Sequence, residues 1–283
     1  MKQSATERSL DILEFLVGHP AGLQLADISE RLGIPKSIGH RLLGLLAERG
    51  FVHQDAASRH YSLTLKLSLL GARHLAATGL GDVSQPILDR LAAATGELVR
   101  LAVVEGDGMV WVAKAQGARH GLRYDPDAGM HVVLHATATG KAWLATLPEA
   151  EALRIVTATG FATPAHFGPK ALRDVPSLID ELERTRARGY GLAVEEGEPG
   201  TAALAVVVRA SAGPGAPVVG TLSAAGPVGR FTPERRRVIV EQLRLASTEL
   251  SALWPMRSPL AGAGAPGRVT AARANEGDHR HAV

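Results

Sequence analysis

The stretch from His135 to Trp143, HATATGKAW, places Gly-Lys where a loop would run into a helix. Backbone amides at such a point hold phosphates, so nucleotide chemistry is the first possibility to weigh. A phosphate loop needs Gly, four residues, then Gly-Lys-Ser/Thr. Here His135 stands where the first Gly belongs, and Ala142 replaces the hydroxyl that would hold magnesium. Two of the fixed positions fail, and the nucleotide reading fails with them. What survives is a helix start near Ala138, Thr139 and Gly140, whose amides carry the positive end of a dipole and favour a carboxylate.

Other chemistry finds little support. His131 and His135 are four apart, but in a segment of strand or loop character that spacing does not put two imidazoles on one face, and His279 and His281 lie in a tail without periodicity. There are no cysteines, which excludes disulfides, thiolate zinc sites and a cysteine nucleophile. Neither a Gly-x-Ser-x-Gly elbow nor a His-Glu-x-x-His helix occurs. No metal, cofactor or catalytic residue is expected.

A different function is written into the charge pattern. The net charge is only +3, yet between Arg31 and Arg73 seven bases stand against the two acids Glu48 and Asp55. That local excess marks a basic face suited to a polyanion.

The elements that would position this face are legible. Ser4-Ala5-Thr6-Glu7 is a capping-box pattern, followed by Leu10, Leu13, Leu16 and Val17 at helical spacing until Gly18 and Pro20. Leu25, Ile28 and Leu32 make one stripe on a two-turn helix closed by Gly33. Pro35 is expected to open a third helix, with Ile38, Leu42, Leu45 and Leu46 as its buried face. Phe51-Val52 and Tyr61-Leu63 are strands around the polar turn from Asp55 to Arg59. Three helices and a hairpin make a winged helix-turn-helix, in which Lys36, Ser37, His40 and Arg41 lie off the apolar stripe of the third helix.

In that setting Arg41 is the candidate for a guanine edge, because its fork matches O6 and N7, while Lys36 and Ser37 near the helix start suit phosphates. Arg59 at the wing tip could enter a minor groove, rest on phosphate or be a plain turn residue, and Arg8 on the first helix is a weaker candidate for the DNA backbone. Gly39 costs roughly 1 kcal/mol relative to Ala in a helix interior. It either allows close approach to DNA or is tolerated without a role.

Beyond the hairpin, residues 64–78 read as a helix broken by Gly79-Leu80-Gly81, and Val83 to Ala94 as a second one stopped by Gly96. Strands are expected over Leu98–Val104, Met109–Lys114, Thr201–Val208 and Val218–Ala224. Helices are expected over Thr139–Thr146, Glu149–Thr159, Asp174–Arg188 and Thr232–Trp254. This predicts an α+β or α/β core of roughly 170 residues, an ordinary size for one domain. The segment after Trp254 is rich in Gly, Ala and Pro and is expected to be a disordered tail. No stretch approaches the roughly 20 apolar residues of a membrane span, and the expected location is the cytoplasm, with no membrane partner.

These residues resemble the IclR-type transcriptional regulators. The similarity covers ERSLDILEFL and LADISERLGIPKSIGHRLLGLLAERGFV in the first part, then LHATATGKAWLATLP, RARGYGLAVEEGEPG and LSAAGPVGRFTPE in the second. The resemblance implies a DNA-binding domain over residues 1–63, a linker helix over 64–80, a GAF-like α/β effector-binding domain over 81–254 and a tail over 255–283. It also implies a homodimer or homotetramer on double-stranded operator DNA, answering to a small-molecule effector.

By the same resemblance the effector pocket takes Tyr124, Val132, Ala138, Thr139, Gly140, Ala193, Ala203, Ala205, Ser223 and Ala225. Some members of the family carry an acid at the Ala193 position, Cys at Ala203 and Ser at Ala225. Three alanines there predict a roomier, drier pocket with hydrogen bonds from Thr139, Ser223 and Tyr124, and an organic acid with an apolar or aromatic body. Against this stand a ligand-independent DNA binder, whose core simply repacked with alanine, and a nucleotide-binding protein or enzyme whose winged helix makes protein contacts.

Overall fold

The computed structural model describes residues 3–121, 123–124, 131–161, 167–213 and 215–256, and two compact units emerge, one ending at Ala77 and the other beginning at Thr78. The first holds helices α1 (Ala5–Val17), α2 (Leu25–Arg31) and α3 (Lys36–Glu48), a hairpin of β1 (Val52–Gln54) and β2 (Tyr61–Leu63), and α4 (Lys66–Ala77).

The capping box at α1 is complete. The Ser4 hydroxyl accepts from the Glu7 amide at 3.2 Å, and the Glu7 carboxylate accepts from the Ser4 amide at 2.6 Å. The buried stripe differs from the one expected. Ile12 and Leu16 enter the core, whereas Leu10 and Val17 are 53% and 67% exposed. On α3, Leu43 is fully buried in place of Leu45, which is half exposed, and Pro35 caps the helix from outside, so that Lys36 is its first residue. Ile12, Leu16, Ile28, Leu42, Leu43, Leu46, Val52 and Tyr61 then form one core.

Gly39 belongs to this core. A Cβ at Gly39 would lie 2.8 Å from Ser29 Oγ and 3.2 Å from Leu25 Cδ1. The close approach is therefore between α3 and α2 inside the unit.

The second unit holds α5 (Leu80–Thr95), β3 (Leu98–Glu105), β4 (Gly108–Gln116), α6 (Ala138–Leu144), α7 (Glu149–Thr159), α8 (Val175–Arg188), β5 (Gly191–Val194), β6 (Thr201–Arg209), β7 (Val218–Pro227) and α9 (Pro233–Leu253). Thr78 and Gly79 break the chain between α4 and α5; Leu80 and Gly81 are already helical. The strands form one antiparallel sheet in the order β4-β3-β7-β6-β5, in which β5 was not anticipated. At four residues it is too short to show a period, and its pairing with β6 is what defines it.

Strand alternation sorts the core into layers. Val99, Leu101 and Val103 of β3, Leu204, Val206 and Val208 of β6, and Leu222 and Ala224 of β7 pack with α5 and α9. The opposite face meets α6, and a second core there combines Met109, Trp143, Leu144, Ile155, Leu178 and Leu182. This is an α+β fold, an antiparallel sheet with helices on both faces. Among the described residues no helix is long and apolar enough to cross a membrane. The expected tail lies, beyond Met256, outside the described residues.

Candidate functional sites

The third helix presents two opposed faces. Gly39, Leu42, Leu43 and Leu46 are buried, while Lys36, Ser37, His40 and Arg41 are all exposed. Among the described residues none forms a hydrogen bond or ion pair with the side chains of these four. Arg8 is half-buried on α1. Arg59 is exposed at the hairpin tip with φ +61, the left-handed region that costs a non-glycine residue roughly 1–2 kcal/mol.

That conformation is held by the turn below it. The Asp55 carboxylate accepts from the amides of Ala57 and Ser58 and from the Ser58 hydroxyl, and the Arg59 amide donates to the Asp55 carbonyl at 2.9 Å. The bonds from Ser58 hold the Asp55 carboxyl below its usual range. Because Arg59 carries backbone strain, Arg59→Gly is expected to raise stability by up to about 1 kcal/mol in thermal unfolding. The same change is expected to weaken DNA binding, so the two measurements separate a recognition role from a plain turn residue.

The second site lies between α6 and the sheet. Rows of residues run across the strands on the face away from α5 and α9. Arg100 pairs with Ser223 and Ser223 with Ala205, while Ala225 pairs with Ala203 and Ala203 with Ala193. Above them, Thr137 caps α6, its hydroxyl accepting from the Gly140 amide at 3.1 Å and donating to the Val133 carbonyl at 2.9 Å. A cavity of about 30 Å³ remains between, with Arg100, Trp111, Tyr124, Thr139, Glu196 and Ser223 in its lining.

Of the residues expected here, Tyr124, Ala138, Thr139, Ala193, Ala203, Ser223 and Ala225 line the cavity, and Val132, Gly140 and Ala205 do not. Val132 belongs to the core under α7 and α8. Ala205 packs with Ala138, Ala142 and Ala193 beneath α6. Gly140 is pressed against the backbone of Leu134, where a Cβ would lie 2.2 Å from the carbonyl oxygen. Its amide already serves Thr137, so it is not available to a ligand.

The lining is also more polar than three alanines suggested, because Arg100, Thr137, Glu196 and Thr201 join it. Arg100 is the most consequential of these. Its guanidinium carbon lies 3.8 Å from the centre of the Trp111 ring and 5.9 Å from that of Tyr124, and among the described residues its buried Nε has no hydrogen-bond partner. Burial pulls the Arg100 guanidinium below its ordinary value, and burial pushes the Tyr124 phenol up. The signal in sequence is one arginine inside the apolar run LVRLAVVE, alternating with Val99, Leu101 and Val103 of the opposite face.

Lys141, the residue that first suggested a nucleotide, is fully buried. Its Nζ donates to both oxygens of Glu196 at 2.8 and 2.9 Å and lies 3.3 Å from Glu181 Oε1. Arg188 in turn contacts Glu181 at 2.6 Å. Burial raises the Glu196 carboxyl, with Lys141 opposing it. At Glu181 burial is outweighed by Lys141 and Arg188, and the carboxyl falls below its usual value. Lys141 thus binds α6 to α8 and to the turn after β5, with no donor directed to a phosphate.

His135 is buried edge-on against Phe161, with ring centroids 5.2 Å apart. Burial lowers its pKa. Among the described residues no group of three or more His, Asp or Glu side chains is arranged to hold a metal.

Comparison with known proteins matches both units. The family model for the IclR helix-turn-helix domain matches residues 5–56, and that for the bacterial transcriptional regulator IclR C-terminal domain matches residues 72–252. The transcriptional repressor AllR of Salmonella typhi is 31% identical over 257 residues, covering 91% of this chain and 92% of that protein. Among solved structures, an IclR transcriptional regulator from Alicyclobacillus acidocaldarius superimposes with a TM-score of 0.75 at 25% identity, covering 90% of this chain and 100% of the other. An IclR homolog from Microbacterium hydrocarbonoxydans, complexed with 4-hydroxybenzoate, shares the fold with a TM-score of 0.70 at 23% identity, over 88% of this chain and 98% of the other. With a helix-turn-helix unit, a sheet-and-helix unit and both family models matched in order, the chain belongs to the IclR family of transcriptional regulators.

Proposed function

We propose that this regulator binds double-stranded operator DNA through α3 and an organic acid in the cavity beneath α6, and that it acts as a repressor. The observation that carries the reading is the exposed, unpartnered row of Lys36, Ser37, His40 and Arg41, opposite a face closed by α2. Half-sites roughly 34 Å apart, or a multiple of that, would be read by two such helices of a homodimer or homotetramer in the cytoplasm. The repressor assignment follows the relative AllR. The domain boundaries proposed are 1–63, 64–80 and 81–254, with α4 as the linker.

The acid reading rests on a cavity lined by both alanines and hydrogen-bonding groups. At about 30 Å³ it is far below the several hundred of a ligand pocket, so its lining must part to admit an aromatic body. Binding alters DNA affinity only if the acid favours one arrangement of the protein over another. A thermal-shift series with aliphatic and aromatic acids tests this. We expect stabilisation of the wild-type chain and none of Ala203→Leu, whose added volume fills the cavity; equal stabilisation of both would place the site elsewhere.

A further inference from the structure

We propose that Arg100 is the carboxylate-binding residue of this pocket and that its stack on Trp111 is what makes the pocket select monocarboxylates over their neutral analogues. The inference rests on the effector reading above and deepens it. Arg100 sits on β3 in the row that continues through Ser223 of β7, and its side chain shares the cavity with Trp111 of β4 and Tyr124.

Three observations converge. First, the guanidinium is placed over an indole at van der Waals distance, an arrangement that orients it without consuming its N–H donors. Second, the buried Nε has no acceptor among the described residues, and an unpaired donor in such a place carries the full cost of its desolvation. A bound carboxylate removes that cost, and a planar fork accepts it through two parallel bonds. Third, the other buried cation nearby is committed elsewhere, because Lys141 is held by Glu196 and Glu181. Glu198 favours the charged form of Arg100, and Glu196, which lines the same cavity, is held by Lys141.

The amides of α6 are weaker candidates for the same anion. The helix is only seven residues long, and the Gly140 and Lys141 amides are taken by Thr137. The acid would therefore lie with its charged end toward β3 and β4, and with its body against Ala193, Ala203 and Ala225.

The test uses two acid and amide pairs, lactate with lactamide and benzoate with benzamide, titrated calorimetrically into the full chain. We expect at least one acid to bind wild type tenfold or more tightly than its amide. Arg100→Gln is expected to remove that preference, Arg100→Lys to retain part of it through charge alone, and Ala203→Leu to abolish binding of acid and amide alike. Should Arg100→Gln fail to fold, Arg100→Lys together with Trp111→Leu decides the matter, since both are expected to narrow the ratio. An acid preference that persists in the Arg100 variants and disappears in Ala203→Leu would overturn the role of Arg100 and leave the effector reading standing. No binding of any probe to wild type, or binding unaffected by Ala203→Leu, would overturn both.

Discussion

Replacing Lys141 with alanine is expected to destabilise the second unit by about 3–5 kcal/mol, the effect of removing one partner from a buried ion pair. The substitution leaves Glu196 and Glu181 facing each other across the vacated space, with Arg188 compensating only the second. A cavity the size of a lysine stem is added to that charge cost. The measurement is direct, because all three tryptophans, Trp111, Trp143 and Trp254, lie in the second unit and report its denaturant unfolding without interference from the first. Lys141→Met with Glu196→Gln is expected to recover much of the loss, since an apolar and neutral replacement removes the uncompensated charge. Equal destabilisation by the single and the double variant would show that packing rather than charge holds α6 in place.

Arg41→Ala is expected to lower discrimination between operator and unrelated DNA by about 1–3 kcal/mol, roughly 5- to 150-fold, with little change in nonspecific affinity. Arg41 lies on the same exposed face as Lys36, Ser37 and His40, one turn further into the helix, where a side chain reaches base edges rather than the backbone. Lys36→Ala is the complementary case. It is expected to weaken binding to all sequences alike and to reduce the slope of log affinity against log salt by about 1. Anisotropy titrations over a salt series, with DNA from upstream of the gene and a scrambled duplex, separate the two. If Arg41→Ala leaves the ratio intact, α3 is not the reading element.

Local signals made most of the fold legible. The capping box at Ser4 and the β-branched runs of the strands are set by neighbours within a few residues, and the elements they announce are present. Choices among several apolar residues on one helix were less legible. Leu43 and Leu45 differ by about half a turn, and only the packing of α1, α2 and the hairpin decides which one is enclosed. Gly39 shows the same limit, since its reason is the Ser29 side chain on a different helix.

The pocket was half legible for a related reason. Thr139, Ser223 and the alanines stand in motifs that read as a unit, whereas Arg100 becomes a pocket residue only when β3 pairs with β7, more than a hundred residues later. Lys141 depends on Glu196, 55 positions away. His135 and Ala142 alone remove the phosphate reading that its Gly-Lys context suggests, but they do not reveal its buried partners. Once those partners are placed, HATATGKAW becomes the lid of a cavity pinned from inside by a buried lysine.

The account stands on the coupling of that cavity to DNA. Its most direct test is the equilibrium affinity of the full chain for upstream DNA, measured with and without a saturating concentration of an acid that stabilises the protein. A severalfold change in wild type that is absent in Ala203→Leu is the predicted result. An affinity that the bound acid leaves unchanged in wild type would contradict it.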